Sequence, residues 1–253
     1  MTSKMDTQQH KSFKILLIGD SCTDVYQYGI VDRISPEAPI PIFVKHSQEK
    51  KLGMVHNVAI NLSNLGCDVH IISGKDSTKT RLIDIRSKQH IVRIDDDVYS
   101  EAVNYKVCDL NRFDAVVISD YNKGSVSYDL VEDLRKDFNG PIFIDTKKTD
   151  LNRFEGCIVK INSLEFSRIE SDVSDLIVTL GADGAQYDGQ IYPAKEVEVA
   201  DVCGAGDTFL AALTYKYLHK KDMKQAIKFA IDASSVTVQH LGVYAPTLEE
   251  ICG

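Results

Sequence analysis

Short apolar runs recur along the chain at 14–18 (KILLI), 68–72 (DVHII), 114–118 (DAVVI), 141–144 (PIFI), 157–161 (CIVKI) and 176–180 (LIVTL). The first stops at Gly19-Asp20, as a buried parallel strand does where it ends at a site. Segments of helical periodicity separate several of these runs. Val58, Leu62 and Leu65, with Ile60 less well placed, predict a helix that Gly66 ends in left-handed conformation. Further helices are expected over 128–138, 208–218 and 223–241, with Gly242 and Pro246 marking the stop. The segment 185–192 (AQYDGQIY) places Asp188-Gly189 between two β-prone arms and predicts a hairpin. The alternation as a whole predicts an α/β fold, a mostly parallel central sheet with helices on both faces.

Two stretches break the alternation. Residues 30–45 (IVDRISPEAPIPIFVK) carry three prolines among alternating apolar positions, as an edge strand or a small projecting sheet would. A second β-prone piece, about 79–95, lies where a helix was expected. Together they are expected to form a small β lid over the strand ends. No internal repeat or low-complexity linker divides the chain, so residues 1–253 are read as a single domain.

Composition narrows the function classes. The chain has 253 residues and a formal net charge of -8, so its overall field repels nucleic acid and anionic membrane, and a nucleotide would need a local site. No apolar run is long enough to span a bilayer, and the polar start MTSKMDTQQHKS lacks the apolar core of a signal peptide. A cytoplasmic protein is expected. The six cysteines form no CxxC pair and no Cys/His cluster, which fits reduced thiols.

The segment richest in chemistry is 201–210 (DVCGAGDTFL). Gly204 and Gly206 let the backbone approach a ligand, and the free N–H groups of the helix they open form an anion site. Asp207 stands at its mouth. A carboxylate beside phosphate donors is electrostatically awkward unless it handles a proton or a metal, which favours phosphoryl transfer with a general base. The alternative is a glycine-rich turn with Asp207 as helix cap.

This segment resembles the DxxGAGD signature of the ribokinase-like (PfkB) sugar kinases. The segments 19–29 (GDSCTDVYQYG) and 32–43 (DRISPEAPIPIF) look like the start of the D-glycero-β-D-manno-heptose 7-phosphate kinase branch. Further matches in order are TKTR at 78–81, QHIVRID at 89–95, SDYNKG at 119–124, DTKK at 145–148 and NSLE at 162–165. The resemblance implies a ribokinase-like fold. It also implies ATP-dependent phosphorylation of a sugar phosphate at the anomeric hydroxyl, with Mg²⁺, K⁺ as an open candidate, and a homodimer as a candidate assembly.

It further implies residue roles. Asp207 would take the proton from the sugar hydroxyl, with the amides of Gly204, Ala205 and Gly206 holding the developing charge. Asp24 would accept hydrogen bonds from sugar hydroxyls. Gly53 and Asn57, in GMVHNVA, would stand for the Gly-Gly-x-x-Asn sugar motif, in which Leu52 replaces the first glycine. Lys79 and Arg81 in the expected lid, and Lys123, would reach the phosphate on the sugar. Lys147, Asn162, Thr179 and Gly181 would serve the nucleotide. Asn162 and Glu165 would position magnesium through water, since such sites keep a hydrated ion; a helix cap with its third-position partner is the competing reading of NxxE.

Two connections look shorter than in the family, at 75–77 and between NSLE and LIVTLG. With the altered GMVHN motif they leave a second function open, a catalytically weak relative that binds sugar phosphate or nucleotide. A kinase acting on another sugar is also open. The chain has neither GxGxxG after its first strand nor GxxxxGK[ST], which sets aside nicotinamide-dependent and P-loop readings. The HxGH signature of the nucleotidyltransferase often fused to the heptose kinase is likewise missing from it.

Overall fold

The structure is a computed structural model and describes residues 12–253. The polar start on which the absence of a signal peptide was argued lies almost wholly outside these residues. The described chain forms a ten-stranded sheet. Its central strands are β1 (Lys14–Ile34), β3 (Asp68–Asp84), β5 (Ala115–Asp120), β6 (Ile142–Thr146), β7 (Ile158–Asn162) and β8 (Leu176–Thr179), paired in parallel in the order β8-β7-β6-β5-β1-β3. The hairpin β9 (Ala185–Tyr187) and β10 (Gln190–Tyr192) closes one edge antiparallel, turning at Asp188 and Gly189, both with positive φ, as the Asp-Gly pair predicts.

The apolar runs of β1, β5, β6 and β7 are buried on both faces because each face carries helices, while the run at 68–72 in β3 is only partly buried. Leu16 and Ile18 point into one core with Val131 and Leu134 of α2 (Tyr128–Asp137), while Leu17 between them joins the opposite core. That second core packs Leu62 of α1 (Val55–Asn64), Leu210 of α4 (Ala205–Lys220) and Ile227 of α5 (Met223–Thr237) against Val117 and Phe143. Ile60, the doubtful member of the α1 pattern, is half exposed, and Gly66 beyond the helix has φ 86°. The helix expected over 223–241 ends at Thr237. Two short helices are each little more than one turn closed by its own capping box: α3 (Ser163–Phe166) is the helix start that the capping reading of NxxE offers, while α6 (Leu248–Cys252) was not expected.

The excursion differs in construction from its sequence reading. β1 does not stop at Gly19-Asp20 but runs on to Ile34, and β3 runs from the core out to Asp84 beside it. β2 (Pro41–Met54) and β4 (His90–Asp96) flank them antiparallel. The projecting ladder therefore shares its strands with the core sheet, and 79–95 is the tip of a long strand plus its return. Residues 75–77, read as a shortened connection, lie within β3; the ladder takes up the irregularity as a register shift between Gly19 and Ser21.

Candidate active site

The carboxyl ends of β5 to β8 meet the amino end of α4, the place where open α/β sheets bind ligands. Gly204 is the residue before the helix, with φ 80°, and Asp207 lies in the first turn. No side chain caps this helix, so Asp207 is not a cap. Among the first-turn amides, that of Ala205 donates back to the Val202 carbonyl at 3.3 Å. Those of Gly206 and Asp207 belong to the set that a helix start leaves without an internal acceptor.

The Asp207 carboxylate is held from two sides. Asn57 Nδ2 donates to Oδ2 at 2.6 Å, and the Tyr121 hydroxyl donates to Oδ1 at 3.1 Å. Burial pushes the carboxyl up to about 6; Asn57 lowers it, the Asp145 charge raises it, and Lys160 and Tyr121 lower it. The group thus changes charge just below neutral pH, where a general base is useful. Behind Asn57 runs a buried chain of hydrogen bonds. Asn61 Nδ2 donates to the Asn57 carbonyl at 2.9 Å, the Thr208 hydroxyl donates to Asn61 Oδ1 at 2.9 Å, and Thr237 Oγ1 donates to Thr208 Oγ1 at 3.0 Å. Because Asn61 also lies 3.5 Å from Asn57 Oδ1, the amide of Asn57 is oriented with its donor toward Asp207.

Tyr121 and Lys123 sit on the loop after β5. The buried Asp20 carboxylate fixes this loop by accepting the backbone N–H groups of Tyr121 (2.8 Å), Lys123 (3.1 Å) and Ser125 (3.2 Å). On the neighbouring strands, Lys160 Nζ lies 2.7 Å from Asp145 Oδ2 and donates to the Gly206 carbonyl at 3.4 Å. Sequence reasoning gave Tyr121, Asp145 and Lys160 no role. The first two lie within quoted motif segments, and Lys160 carried its own signal as the charged residue of an otherwise apolar strand run.

A cavity of 330 Å³ is bordered by Asp207, Tyr121, Asp145, Lys147, Lys160 and Asn162. It shares Thr179, Gly181 and Gly206 with a second, more apolar cavity of 410 Å³ between α4, α5 and residues 194–199. Lys147 pairs with Glu165, and its Nζ stands 5.5 Å from the centre of the Tyr121 ring. Asn162 and Glu165 form a capping box, Glu165 N–H donating to Asn162 Oδ1 at 2.8 Å and Asn162 N–H to Glu165 Oε2 at 2.8 Å. The capping box is the competing reading of NxxE, and Asn162 also borders the polar cavity.

The remaining expected residues lie on the ladder. Cys22, Asp24 and Tyr26 alternate along β1 beside Ser77, Lys79 and Arg81 of β3. Arg81 pairs with Asp24 and stacks its guanidinium 5.2 Å from the Tyr26 ring centre, with both partners of the pair mostly buried. A Cβ on Gly53 would come within 2.5 Å of Asp24 Oδ2 and 2.8 Å of Cys22 Sγ, so a larger residue where β2 crosses this carboxylate would have to displace both side chains. Lys79 Nζ lies 5.9 Å from the Tyr121 ring centre, which links the ladder to the Asp207 site. The Cys203 thiol, beside Gly204, is pushed up by burial and by Asp201 while Arg81 pulls it down, so the Arg81 face of the ladder looks toward the glycine turn. Lys123 is the outlier: it pairs with Asp97 and borders neither cavity.

No group of three or more His, Cys, Asp or Glu residues is placed to hold a metal among the described residues. Asp145 and Asn162 border the polar cavity with hard oxygen donors. This set suits Mg²⁺ that arrives with nucleotide phosphates and keeps part of its water.

A cavity bordered by Lys147 and Lys160 at a helix start, a buried carboxyl raised to about 6 and an adjoining apolar cavity are what phosphoryl transfer from a nucleotide to a hydroxyl would use. Residues 164–251 match the pattern of the pfkB family carbohydrate kinases. It is 32% identical to the bifunctional protein HldE of Nitratiruptor sp. across 94% of this chain, and 32% identical to that of Campylobacter curvus across 95%. The chain spans 64% of the length of each. The first alignment runs over 298 positions, more than the 253 residues of this chain, so that relative carries residues this chain lacks. In fold the chain is similar to the ribokinase of Arabidopsis thaliana complexed with ribose and ATP, with 17% identity, a TM-score of 0.73 and coverage of 96% of this chain and 98% of that one. The ribokinase of Thermotoga maritima matches with 16% identity, a TM-score of 0.71 and coverage of 94% and 98%. The fold is ribokinase-like, as the sequence implied.

Proposed function

We propose that the chain phosphorylates D-glycero-β-D-manno-heptose 7-phosphate at its anomeric hydroxyl, giving the 1,7-bisphosphate and ADP. The observation that carries this reading is Asp207, a buried carboxyl poised at about 6 at the start of α4, on the wall of the polar cavity. The sugar oxygen forms a bond to the γ-phosphorus, the bond from that phosphorus to the β–γ bridging oxygen breaks, and Asp207 receives the hydroxyl proton. The first-turn amides, Lys147 and Lys160 stabilise the charge on the transferring group. Bound Mg²⁺ would neutralise phosphate charge from the side of Asn162 and Asp145, with Glu165 acting through water because both its oxygens are engaged. K⁺ is a further ion to test. Lys79 and Arg81 supply cations for the phosphate already on the sugar, and Asp24 supplies an acceptor for a hydroxyl. The HldE relatives support the choice of sugar, and the substrates imply action in the cytoplasm.

A second reading, a sugar-phosphate or nucleotide binding protein of low activity, is favoured by one observation. Arg81 and Asp24 satisfy each other, so the sugar must separate or reuse a formed ion pair. ADP release with Mg²⁺ and ATP, offering heptose 7-phosphate, fructose 6-phosphate, ribose and adenosine in turn, separates the two. Turnover on heptose 7-phosphate that vanishes in Asp207→Ala supports the kinase. Binding of ATP or sugar phosphate with no turnover on any of the four supports the binding protein.

A further inference from the structure

The DTKK segment contains a second lysine that the proposed reaction does not use. Lys147 borders the polar cavity, whereas Lys148 borders neither cavity and its side chain is 9% exposed. The three protons of its ammonium are engaged inside the protein: Nζ lies 3.1 Å from Asp120 Oδ1, 2.9 Å from Asp120 Oδ2 and 3.1 Å from Asn122 Oδ1. Those partners are the residues immediately before and after Tyr121, whose hydroxyl donates to Asp207. The shape of this short segment needs support, because Asn122 has φ 57°, a left-handed conformation uncommon outside glycine. Asn122 is kept there by its own N–H, which donates to Asp120 Oδ1 at 2.9 Å, and by Lys148 on its side chain. The Thr146 hydroxyl anchors Asp120 in turn at 2.6 Å, and Asp20 accepts the N–H of Tyr121 itself.

We propose that Lys148 is a positioning residue for the base: by clamping Asp120 and Asn122 it sets where Tyr121 stands, and so holds the Tyr121 hydroxyl on Asp207. The inference rests on the reading of Asp207 as the general base. Loosening the clamp lengthens a hydrogen bond to the charged carboxylate, which withdraws support from the charged form and raises the pH at which Asp207 takes its proton. A base whose supporting hydroxyl is misplaced is slower in the chemical step, while ATP, which Lys148 does not reach, binds as before.

The test follows the Asp207 carboxyl directly in the intact chain, by the ¹³C resonance that Asp207→Asn deletes, so it needs no turnover. Asn122→Gly removes the side chain that Lys148 holds, keeps the N–H, suits the positive φ and changes no charge. Lys148→Met removes the whole clamp but leaves Asp120 buried without its cation, so Asn122→Gly keeps the proposal testable if that variant fails to fold. Both substitutions should raise the midpoint from about 6 by roughly half to one pH unit, about a three- to tenfold change in proton affinity. Both should also lower kcat with KM for ATP near the parent value. In a Tyr121→Phe background neither should move the midpoint further. An unmoved midpoint in Asn122→Gly overturns the proposal. An equal shift in the phenylalanine background overturns it too, because the effect then reaches Asp207 without the hydroxyl, through the lost Lys148 charge or through Asp145, Lys147 and Lys160, the charged groups that bear on it. Failure of this inference is distinguishable from failure of the kinase reading. Midpoints that shift as expected without turnover on any sugar overturn the kinase alone, while turnover with unmoved midpoints overturns the role of Lys148 alone.

Discussion

Asn57 of α1 and Asp207 of α4 stand 150 residues apart in sequence and are joined by a 2.6 Å hydrogen bond inside the protein. The resemblance assigned Asn57 to the sugar, yet its donor nitrogen is directed at the base, and its orientation is set by Asn61, Thr208 and Thr237. The buried network thereby fixes the carboxylate that the proposed reaction directs at the sugar hydroxyl. A charged group in such a place is stabilised by donors and destabilised by loss of water, and burial is the larger influence on Asp207.

The pH dependence of activity follows from that balance. With Asp207 at about 6, kcat/KM should fall on the acid side as the carboxylate takes a proton, with a midpoint near pH 6. Asp207→Ala should lower kcat by about a hundred- to ten-thousand-fold with KM for ATP little changed. A pH profile measured by ADP release checks both; a midpoint near the ordinary carboxyl value of about 4 would show that burial does not act on the base as described.

The same group carries a stability prediction of opposite sense. The folded state holds this proton more tightly than the unfolded chain, so the cost of ionising Asp207 is absent well below pH 4, grows between about 4 and about 6 and is full above. Asp207→Asn removes that cost, on the order of 2–3 kcal/mol at neutral pH before loss of its acceptor role is counted. The inactive variant should melt at a higher temperature than the parent at pH 7.5, and the difference should disappear by pH 4. Calorimetry at the two pH values reads the change.

Tyr121 offers a separable test, because it lowers Asp207 through its hydroxyl. Tyr121→Phe should move the acid limb toward neutral by about one pH unit and lower kcat, while KM for ATP stays near the parent value. A reduced kcat with an unmoved limb would mean that the ring matters only as packing beside Lys79 and Lys147.

What could be read from sequence follows the range of the interactions. The six apolar runs, the Asp188-Gly189 turn and the glycine turn before Asp207 are set by neighbours in sequence, and each appears in the structure where its residues predict it. The ladder was only half legible, because β1 changes from continuous burial to partial exposure partway along while β3 is partly exposed along nearly its whole length, so neither keeps one period throughout. The partners of Asp207 were less legible still. Asn57, Tyr121, Asp145 and Lys160 come from four separate elements, and neither spacing nor propensity tells which nitrogen faces which oxygen. The NxxE motif shows the same limit in reverse, since a local capping box satisfies its side chains whatever phosphate chemistry the loop also serves.

On the ladder, Arg81 is the residue whose loss should act on substrate alone. Its guanidinium is planar, paired with Asp24 and stacked near Tyr26, so a lysine cannot reproduce its contacts. Arg81→Ala and Arg81→Lys should both raise KM for the sugar phosphate by about tenfold or more with kcat within about threefold of the parent. A matching fall in kcat would place Arg81 at the reacting centre instead.

The two glycines of the turn separate backbone strain from site chemistry. Gly204 has φ 80°, and a Cβ there would lie 3.0 Å from Asn57 Nδ2. Alanine at 204 must either adopt a left-handed conformation, at a cost of about 1–2 kcal/mol, or distort the helix start, and in both cases it presses on the donor to Asp207. Gly206 lies within α4, where alanine is favoured over glycine by up to about 1 kcal/mol, and its Cβ would meet only the movable end of Lys160, at 3.0 Å. Gly204→Ala should therefore lower both melting temperature and kcat. Gly206→Ala should leave the melting temperature unchanged or higher and still lower kcat, because the displaced ammonium no longer sits between Asp145 and the Gly206 carbonyl. Thermal melts and single-turnover phosphoryl transfer on the two variants read these outcomes. Equal loss of stability in both would mean that the turn, and not the placement of Lys160, limits the reaction.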